Sequence, residues 1–506
     1  MINIVKTKPE IYVRKNDIWS LNKNNVTIEK NSEIFVQSSE KIEFVKLLWK
    51  SNKDLCGKVM GDVYERSYSD LEWKNIDVKR TMPWYFVLDN NKKVYLFGVK
   101  TNANAICFFK CSKNEITLFL DVRCGGDGVD LNGRILKAAT LCYMESEKNA
   151  FDALGDFCSL MCDKPRYIKT PVYGGNDWYC NYGENSYEKI ILHTKRVVEC
   201  APKNAPKPYM VIDDGWQICS KNANVLDTQG PWKYANSKFK DMKKLAQEIT
   251  NLGAIPGLWY RPLKTSEYVP DDAYIHYISK SVALDPSHPY CKKMIEEDAK
   301  TIASWGYKLI KFDFSTYDMF GEYGKDFDDT ITPDGWHFYD TSKTSAEIVK
   351  DFYNLVRNSV GEDVVLIGCN TIGHLSAGIV DMHRIGDDTS GYDWQRVVGY
   401  GVNTLAFRLC QNKTFFTADA DCVGIMGKID WQKNQKWLDL LSKSSTALFV
   451  SIHDDAYTDE VKNDIKNAFE ECVNSFGKKL IPLDWKENKI PQKWQWGDKV
   501  IEYRWH

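Results

Sequence analysis

Apolar and polar positions alternate in short runs from residue 1 to about 165, as in VTIEKNSEIFVQ, KIEFVKLLWK, PWYFVLDNNKKVYLFGVK and AICFFKCSKNEITLFLDVRC. A period of two puts every second side chain on one face of a strand, and the DNN and SKN clusters between runs favour turns. This segment reads as antiparallel hairpins that build an N-terminal β-sandwich over 1–165.

From about residue 166 the rhythm changes to short apolar runs separated by longer stretches of helical period. Eight runs qualify as strands: 173–179, 209–216, 254–262, 307–315, 364–370, 382–388, 414–419 and 446–452. In FKDMKKLAQEITNLG, Phe239, Met242, Leu245, Ala246, Ile249 and Leu252 form one apolar stripe, and Gly253 supplies a C-terminal stop. DEVKNDIKNAFEECVNSFG repeats the pattern with Val461, Ile465, Phe469, Val473 and Phe476. Only HLSAGIV separates the fifth and sixth runs, so that crossover is expected to be short or irregular. Eight β-then-α units predict an α/β fold, a (β/α)8 TIM barrel over 166–480. The remainder, LIPLDWKENKIPQKWQWGDKVIEYRW, reads as a small C-terminal β element over 481–506.

Charge narrows the function. Lys and Arg number 67 against 69 Asp and Glu, a formal charge of −2, so no field gathers a polyanion and a nucleic-acid partner is disfavoured. No apolar run approaches the roughly 18 residues of a membrane span. The start, MINIVKTKPEIYVRKND, lacks a signal-type apolar core, so a cytoplasmic protein with no membrane partner is expected. The 15 cysteines include no CxxC with a histidine partner, which favours reduced thiols over a zinc site. Aromatic residues reach 13%; their flat apolar faces suit sugars, but cores use them equally well.

Active sites of such barrels lie at the C-terminal ends of the strands, so polar residues that close an apolar strand are the candidates. Strand four ends Leu309, Ile310, Lys311, Phe312, Asp313, and period two puts Leu309, Lys311 and Asp313 inside the barrel. A lysine two residues from a carboxylate favours its ionised form, as a nucleophile requires; a structural ion pair in the barrel mouth is the competing role. Strand six ends Arg384, Ile385, Gly386, Asp387, Asp388. Adjacent acids near a third carboxylate cannot all stay ionised cheaply, so one becomes a proton donor, with a helix N-cap as the rival role for Asp388. Strand two ends Asp213, Asp214, Gly215, Trp216, where two carboxylates could take a sugar's hydroxyl pair while the Trp216 indole covers its apolar face. A divalent ion is the rival there, but no His or Glu neighbours these aspartates, and neither metal nor cofactor is expected. Trp178 and Trp259, near the ends of strands one and three, are further wall candidates.

Together, IDDGWQ after strand two, KFD closing strand four and RIGDD closing strand six resemble the clan of retaining α-galactosidases, glycoside hydrolase families 36 and 27, with raffinose synthases among the relatives. The likeness spans about residues 166–480, and the leading sandwich fits the family 36 arrangement. It implies Asp313 as the nucleophile, Lys311 as a substrate-binding cation, and Asp213 and Asp214 as ligands of hydroxyls on the far side of the sugar. It also implies Asp387, which follows Gly386, as the acid/base, with Arg384 just before it. Relatives that space the arginine four residues ahead of the acid point to Asp388 instead. In retaining hydrolysis one carboxylate attacks the anomeric carbon while the other, about 5–5.5 Å away, protonates the leaving oxygen.

Departures from the family bear on the substrate. Strand five ends Gly368, Cys369, Asn370, where many family 36 galactosidases carry a cysteine and paired glycines near the 2-hydroxyl, so Cys369 and Asn370 join the candidate contacts. Arg261 closes strand three where those galactosidases commonly carry a Glu; it could meet an anionic glycan or pair internally with Asp214 or Asp313. Asp419 and Asp421, after strand seven, have no assigned role. The implied activity is a retaining α-glycosidase acting on an α-galactoside or a close stereochemical relative. An oligosaccharide or glycan is the expected partner, and a homo-oligomer is left open. The rivals are a transglycosylase of the raffinose-synthase kind, a catalytically silent carbohydrate-binding barrel, and a metal-dependent barrel enzyme.

Overall fold

The computed structural model describes residues 2–219, 228–275 and 283–506. The alternating N-terminal runs form two antiparallel sheets. One has the order Ile18–Leu21, Glu10–Lys15, Phe44–Lys50, Glu115–Asp121, Ile106–Cys111, Met82–Pro83. The other runs Val26–Ile28, Glu33–Val36, Leu136–Ser146, Val94–Val99, Tyr85–Asp89, Lys58–Gly61, Lys74–Asn75. Strand Glu115–Asp121 buries Ile116, Leu118 and Leu120 and leaves Glu115, Thr117 and Phe119 half-buried, as a period of two requires. Tyr85–Asp89 and Val94–Val99 are buried throughout, because helix Ala150–Met161 packs against them. Their DNN turn closes with Asn91 at φ +65° and its N–H donating to Asp89 Oδ1 at 2.7 Å.

All eight expected barrel strands form, and they close on one another in parallel. They are Tyr173–Asn176, Tyr209–Ile212, Ile255–Tyr260, Leu309–Phe312, Val365–Gly368, Met382–Arg384, Thr417–Ile425 and Ala447–Ile452. Period two sorts their side chains. Tyr209, Val211, Leu309, Ile367, Met382, Ala447 and Phe449 fill the barrel interior, while Met210, Ile212, Ile310 and Leu366 join the outer core with the helices. Three interior rows then continue to polar residues at the mouth: Val211 to Asp213, Leu309 to Lys311 and Asp313, Met382 to Arg384.

Helix Met242–Leu252 follows the expected stripe, capped by Asp241, whose side chain accepts from the Lys244 N–H, and ended by Gly253 at φ +105°. Phe239 is buried ahead of the helix start. In helix Asp459–Ser475 the buried stripe runs through Cys472 rather than Val473. The fifth crossover is a single helical turn, Gly373–Ser376, as the short HLSAGIV segment demands. Three antiparallel strands, Leu480–Pro482, Lys493–Trp496 and Lys499–Glu502, form the C-terminal element. All 15 cysteines are free and twelve are buried. Among the described residues no helix is long and apolar enough to cross a membrane.

Candidate active site

A cavity of about 250 Å³ opens at the C-terminal end of the barrel. Asp213, Asp214, Trp178, Trp259, Lys311, Asp313, Asn370, Arg384, Asp387 and Asp388 all line it, so the structure gathers these expected residues from six barrel strands.

The Asp313 carboxylate is held by two uncharged donors: Trp259 Nε1–H at 3.1 Å and the Phe314 N–H at 2.7 Å. Lys311 forms an ion pair in the barrel mouth, though with a carboxylate of another strand rather than with Asp313. Its Nζ reaches Asp213 Oδ2 at 2.7 Å, and Asn176 Nδ2 donates to the same oxygen at 2.8 Å. The reason is geometric. Residues i and i+2 of a strand are about 6.6 Å apart, whereas interior side chains of different strands converge on the barrel axis. Burial alone would lower the Lys311 pKa; Asp213, with Cys369 and Asp313 behind it, holds the ammonium well above the usual lysine range. Asp214 accepts from Gln217 Nε2 at 2.6 Å and Thr228 Oγ1 at 2.8 Å, yet burial lifts its carboxyl to about 6.

The sixth strand delivers two aspartates into opposite electrostatic environments. Gly386 is required there, since a Cβ would sit 2.2 Å from the Tyr400 carbonyl oxygen. Burial raises the Asp387 carboxyl above its ordinary range, and the charge of Asp388 adds to that, against the pull of Arg66. Burial acts on Asp388 too, but Arg384, Arg66 and Lys311 outweigh it and hold that carboxyl down to about 2. Arg384 is 2.9 Å from Asp388 Oδ1 and 3.0 Å from Asp421 Oδ2. Asp388 caps no helix; the next one, Trp394–Arg396, is capped by Asp393.

Asp421 thereby acquires a place in the site. It sits at φ +71° in a bulge of strand seven, and its Oδ2 accepts from Tyr179 Oη, the Thr389 N–H and Thr389 Oγ1 as well as pairing with Arg384. Asp419, two residues earlier, is pushed up to about 6 by burial and does not line the cavity.

Three expected contacts lie elsewhere. Trp216 is fully buried in the outer core, its Nε1–H donating to the Trp259 carbonyl at 2.8 Å. Gly215 at φ +118° turns the chain at this point, away from the strand geometry that would have aimed the indole at the mouth. Cys369 is buried beneath Arg384, whose Nη1 lies 3.8 Å from its Sγ, and does not reach the cavity. Arg261 is also sealed off. Its fork meets Asp318 at 2.9 and 2.6 Å, and its guanidinium lies 4.2 Å from the Phe314 ring centre. The internal pairing weighed for Arg261 therefore exists, but with Asp318 rather than Asp214 or Asp313, and it ties strand three to the helix Ser315–Phe320 that follows Asp313.

Breaking this pair leaves a buried charge. Arg261→Met is expected to destabilise the protein by about 3–5 kcal/mol in urea unfolding, whereas Arg261→Met with Asp318→Leu should recover most of that loss. Equal stability of the single and double variants would show that the pair is not what Arg261 contributes.

Sequence reasoning missed the walls that come from outside the barrel strands: Arg66 and Tyr68 from the sandwich, Tyr323 and Lys325 after strand four, and Tyr400 after strand six. Asn176 was within reach, since Val172, Gly174 and Asn176 share a face by the period-two rule that found Asp213. Among the described residues no group of three His, Cys, Asp or Glu is placed to hold a metal ion.

No family model matches the chain. Its structure is similar to that of an α-galactosidase from Thermus thermophilus in complex with p-nitrophenyl α-D-galactopyranoside, with TM-score 0.63 and 14% identity over 97% of each chain. It is similar also to a GH36 α-galactosidase of Geobacillus stearothermophilus in complex with raffinose, with TM-score 0.65 and 12% identity over 92% of this chain and 69% of the other. The galactosidase domain of an α-galactosidase–sucrose kinase matches with TM-score 0.56 and 14% identity, over 89% and 65%. The chain shares the fold of the GH36 α-galactosidases. At these identities the likeness is one of architecture, sandwich and barrel together.

Proposed function

We propose that the protein is a glycoside hydrolase, a retaining α-glycosidase that removes terminal α-linked galactose or a close stereochemical relative by double displacement. The observation that carries this reading is the pairing, in one barrel-mouth cavity, of an aspartate held only by uncharged donors with a second whose pKa is raised. Asp313 is free to attack carbon; Asp387, its carboxyl raised by burial, is the one suited to carry the proton. In the first displacement Asp313 bonds to the anomeric carbon as the glycosidic C–O bond breaks and the Asp387 proton passes to the departing oxygen. In the second, water attacks that carbon, gives its proton to Asp387, and releases Asp313. The fold shared with α-galactosidases crystallised with galactosides and raffinose supports the choice of sugar.

A panel of aryl α- and β-glycosides differing in the sugar tests this, with the first-formed product anomer followed by NMR. Hydrolysis of the α-galactoside with retention is expected; inversion, or inertness towards every α-glycoside, would overturn the reading. Added sugar acceptors in the same assay reveal whether a hydroxyl displaces water in the second step.

Asp213 and Asp214 line the cavity, and the donors they already hold do not fill the roughly four acceptor positions of a carboxylate. Removing one charge-assisted hydrogen bond costs about 1.5–3 kcal/mol. Galactosides lacking the 4- or 6-hydroxyl should lose a corresponding factor on the wild type and much less on Asp213→Asn or Asp214→Asn. Equal discrimination by variant and wild type would remove these residues from sugar selection.

A further inference from the structure

The barrel alone does not build the acid/base. Residues 62–69 of the sandwich reach the barrel mouth and add a parallel bridge, Ser67 to Gly386, at the end of strand six. The Ser67 N–H donates to the Ile385 carbonyl at 2.9 Å, and the Asp387 N–H donates to the Ser67 carbonyl at 2.9 Å. This double tie fixes the neighbouring Arg66, whose guanidinium lies 2.9 Å from Asp387 Oδ1 and 3.4 Å from Asp388 Oδ1. Arg66 is anchored in turn. Its Nε–H donates to Tyr68 Oη at 3.2 Å, that hydroxyl donates to Glu65 Oε1 at 2.7 Å, and Glu65 accepts from Asn370 Nδ2 at 3.0 Å at the end of strand five.

An arginine locked on a surface aspartate would be a minor stabilising pair. Here it is locked on a carboxyl that must cycle between its acid and its anion. We propose that Arg66 is a positioning residue for the acid/base: it balances the charge of Asp387 whenever that carboxyl has given up its proton, so that the sandwich completes the site. The inference rests on Asp387 being the acid/base of the retaining reaction proposed above.

After the Asp387 proton moves to the departing oxygen, the carboxylate left behind already faces a cation and needs no rearrangement. When water later returns a proton, Asp387 is neutral again and the guanidinium keeps its hold through Tyr68 and the nearby Asp388. The charged and titratable groups around Asp387 are Arg66 and Glu65 from the sandwich, Asp388 and Arg384 from strand six, and Arg396 of the next helix, 3.8 Å away. Arg384 is engaged with Asp388 and Asp421, so Arg66 is the cation in direct contact with Asp387 Oδ1.

The sign of the effect is fixed. A cation beside a carboxyl favours its ionised form, so removing Arg66 makes Asp387 keep its proton to higher pH. In Arg66→Gln the alkaline limb of kcat/KM should move up by about one pH unit, a tenfold change in proton affinity, and Arg66→Lys should bring it most of the way back. Substrates with poor leaving groups should lose more than those with good ones, because only they depend on a strong acid. A merely structural Arg66 would slow both substrates alike and leave the limb in place, which would overturn the proposal. Titration of ¹³C-labelled aspartate carboxyls by NMR, with the Asp387 signal identified by its loss in Asp387→Asn, reads the same shift without turnover. An Asp387 titration unmoved in Arg66→Gln overturns the proposal even in an active enzyme; inactivity of the wild type towards every α-glycoside would instead remove the retaining reading, with the titration still deciding what Arg66 does to Asp387.

Discussion

Asp313→Asn should lower kcat/KM on an aryl α-galactoside by about 10⁴-fold or more while leaving the thermal midpoint nearly unchanged. The size of the effect follows from what the position offers. Lys311 and Asp313 stand on the interior face of strand four, and the lysine is engaged with Asp213. Asp313 is therefore left with two neutral donors, an indole N–H and a backbone N–H, which orient the carboxylate without tying up its charge. Phe314, at φ +60°, directs that backbone donor. An asparagine can keep the Phe314 contact through its carbonyl oxygen, so folding should survive, but an amide cannot form the ester to the anomeric carbon. A fluorosugar or cyclitol inactivator should label the peptide containing Asp313, read by mass spectrometry. Labelling of a different carboxylate, together with an active Asp313→Asn, would defeat the assignment.

The barrel was legible because a closed parallel sheet forces one rule on all its strands: every second residue looks inward, and the last inward residue reaches the mouth. That rule alone leads to Asp213, Lys311, Asp313 and Arg384, all of which line the cavity. It fails where the chain has already left the strand. Trp216 follows Gly215 through a turn of positive φ and swings into the outer core. Arg261 obeys the period but lies too far along strand three, where Asp318 from the helix Ser315–Phe320 closes over it. The Lys311 to Asp213 pair was hidden for another reason, since 98 residues separate partners that meet only because the barrel closes. Arg66 was beyond reach altogether. Nothing in the local sequence DVYERSYSD announces a contact with Asp387, and that contact exists only through the docking of the sandwich on the barrel.

Docking also bears on the division of labour proposed for the adjacent aspartates. Two neighbouring acids of like sequence context would share one proton between them. The cations break that symmetry: Arg384, which is buried, and Arg66 both lie against Asp388, whereas Asp387 has Arg66 and, at 3.8 Å, the exposed Arg396. Asp421 adds a second constraint by holding Arg384, Tyr179 and Thr389 at one oxygen, which fixes the segment carrying both acids from its far side. The strained backbone of Asp421 is consistent with a residue whose geometry serves the site.

This asymmetry leads to a clear expectation for the acid/base. In Asp387→Ala, substrates with good leaving groups should keep much of their first-step rate, because their departing oxygen needs no proton, and azide should replace water in the second step to give an α-glycosyl azide, with retained configuration, from an α-galactoside donor. Substrates with poor leaving groups should fall by about 10²–10⁴-fold. The pH profile supplies an independent readout. A carboxyl raised by burial holds its proton below its own pKa and loses it as the pH climbs, so the wild type should lose activity on the alkaline side, and Asp387→Ala should lack that limb. On the reading proposed above, Asp388, held down by Arg384, Arg66 and Lys311, stays ionised while Asp387 carries the proton. Asp388→Ala should therefore be slowed for good and poor leaving groups alike, keep the alkaline limb and gain nothing from azide. If azide rescue and loss of the limb belong to Asp388→Ala instead, the proton is carried one residue later in the chain, and Arg384 is the nearer of the two cations that face it.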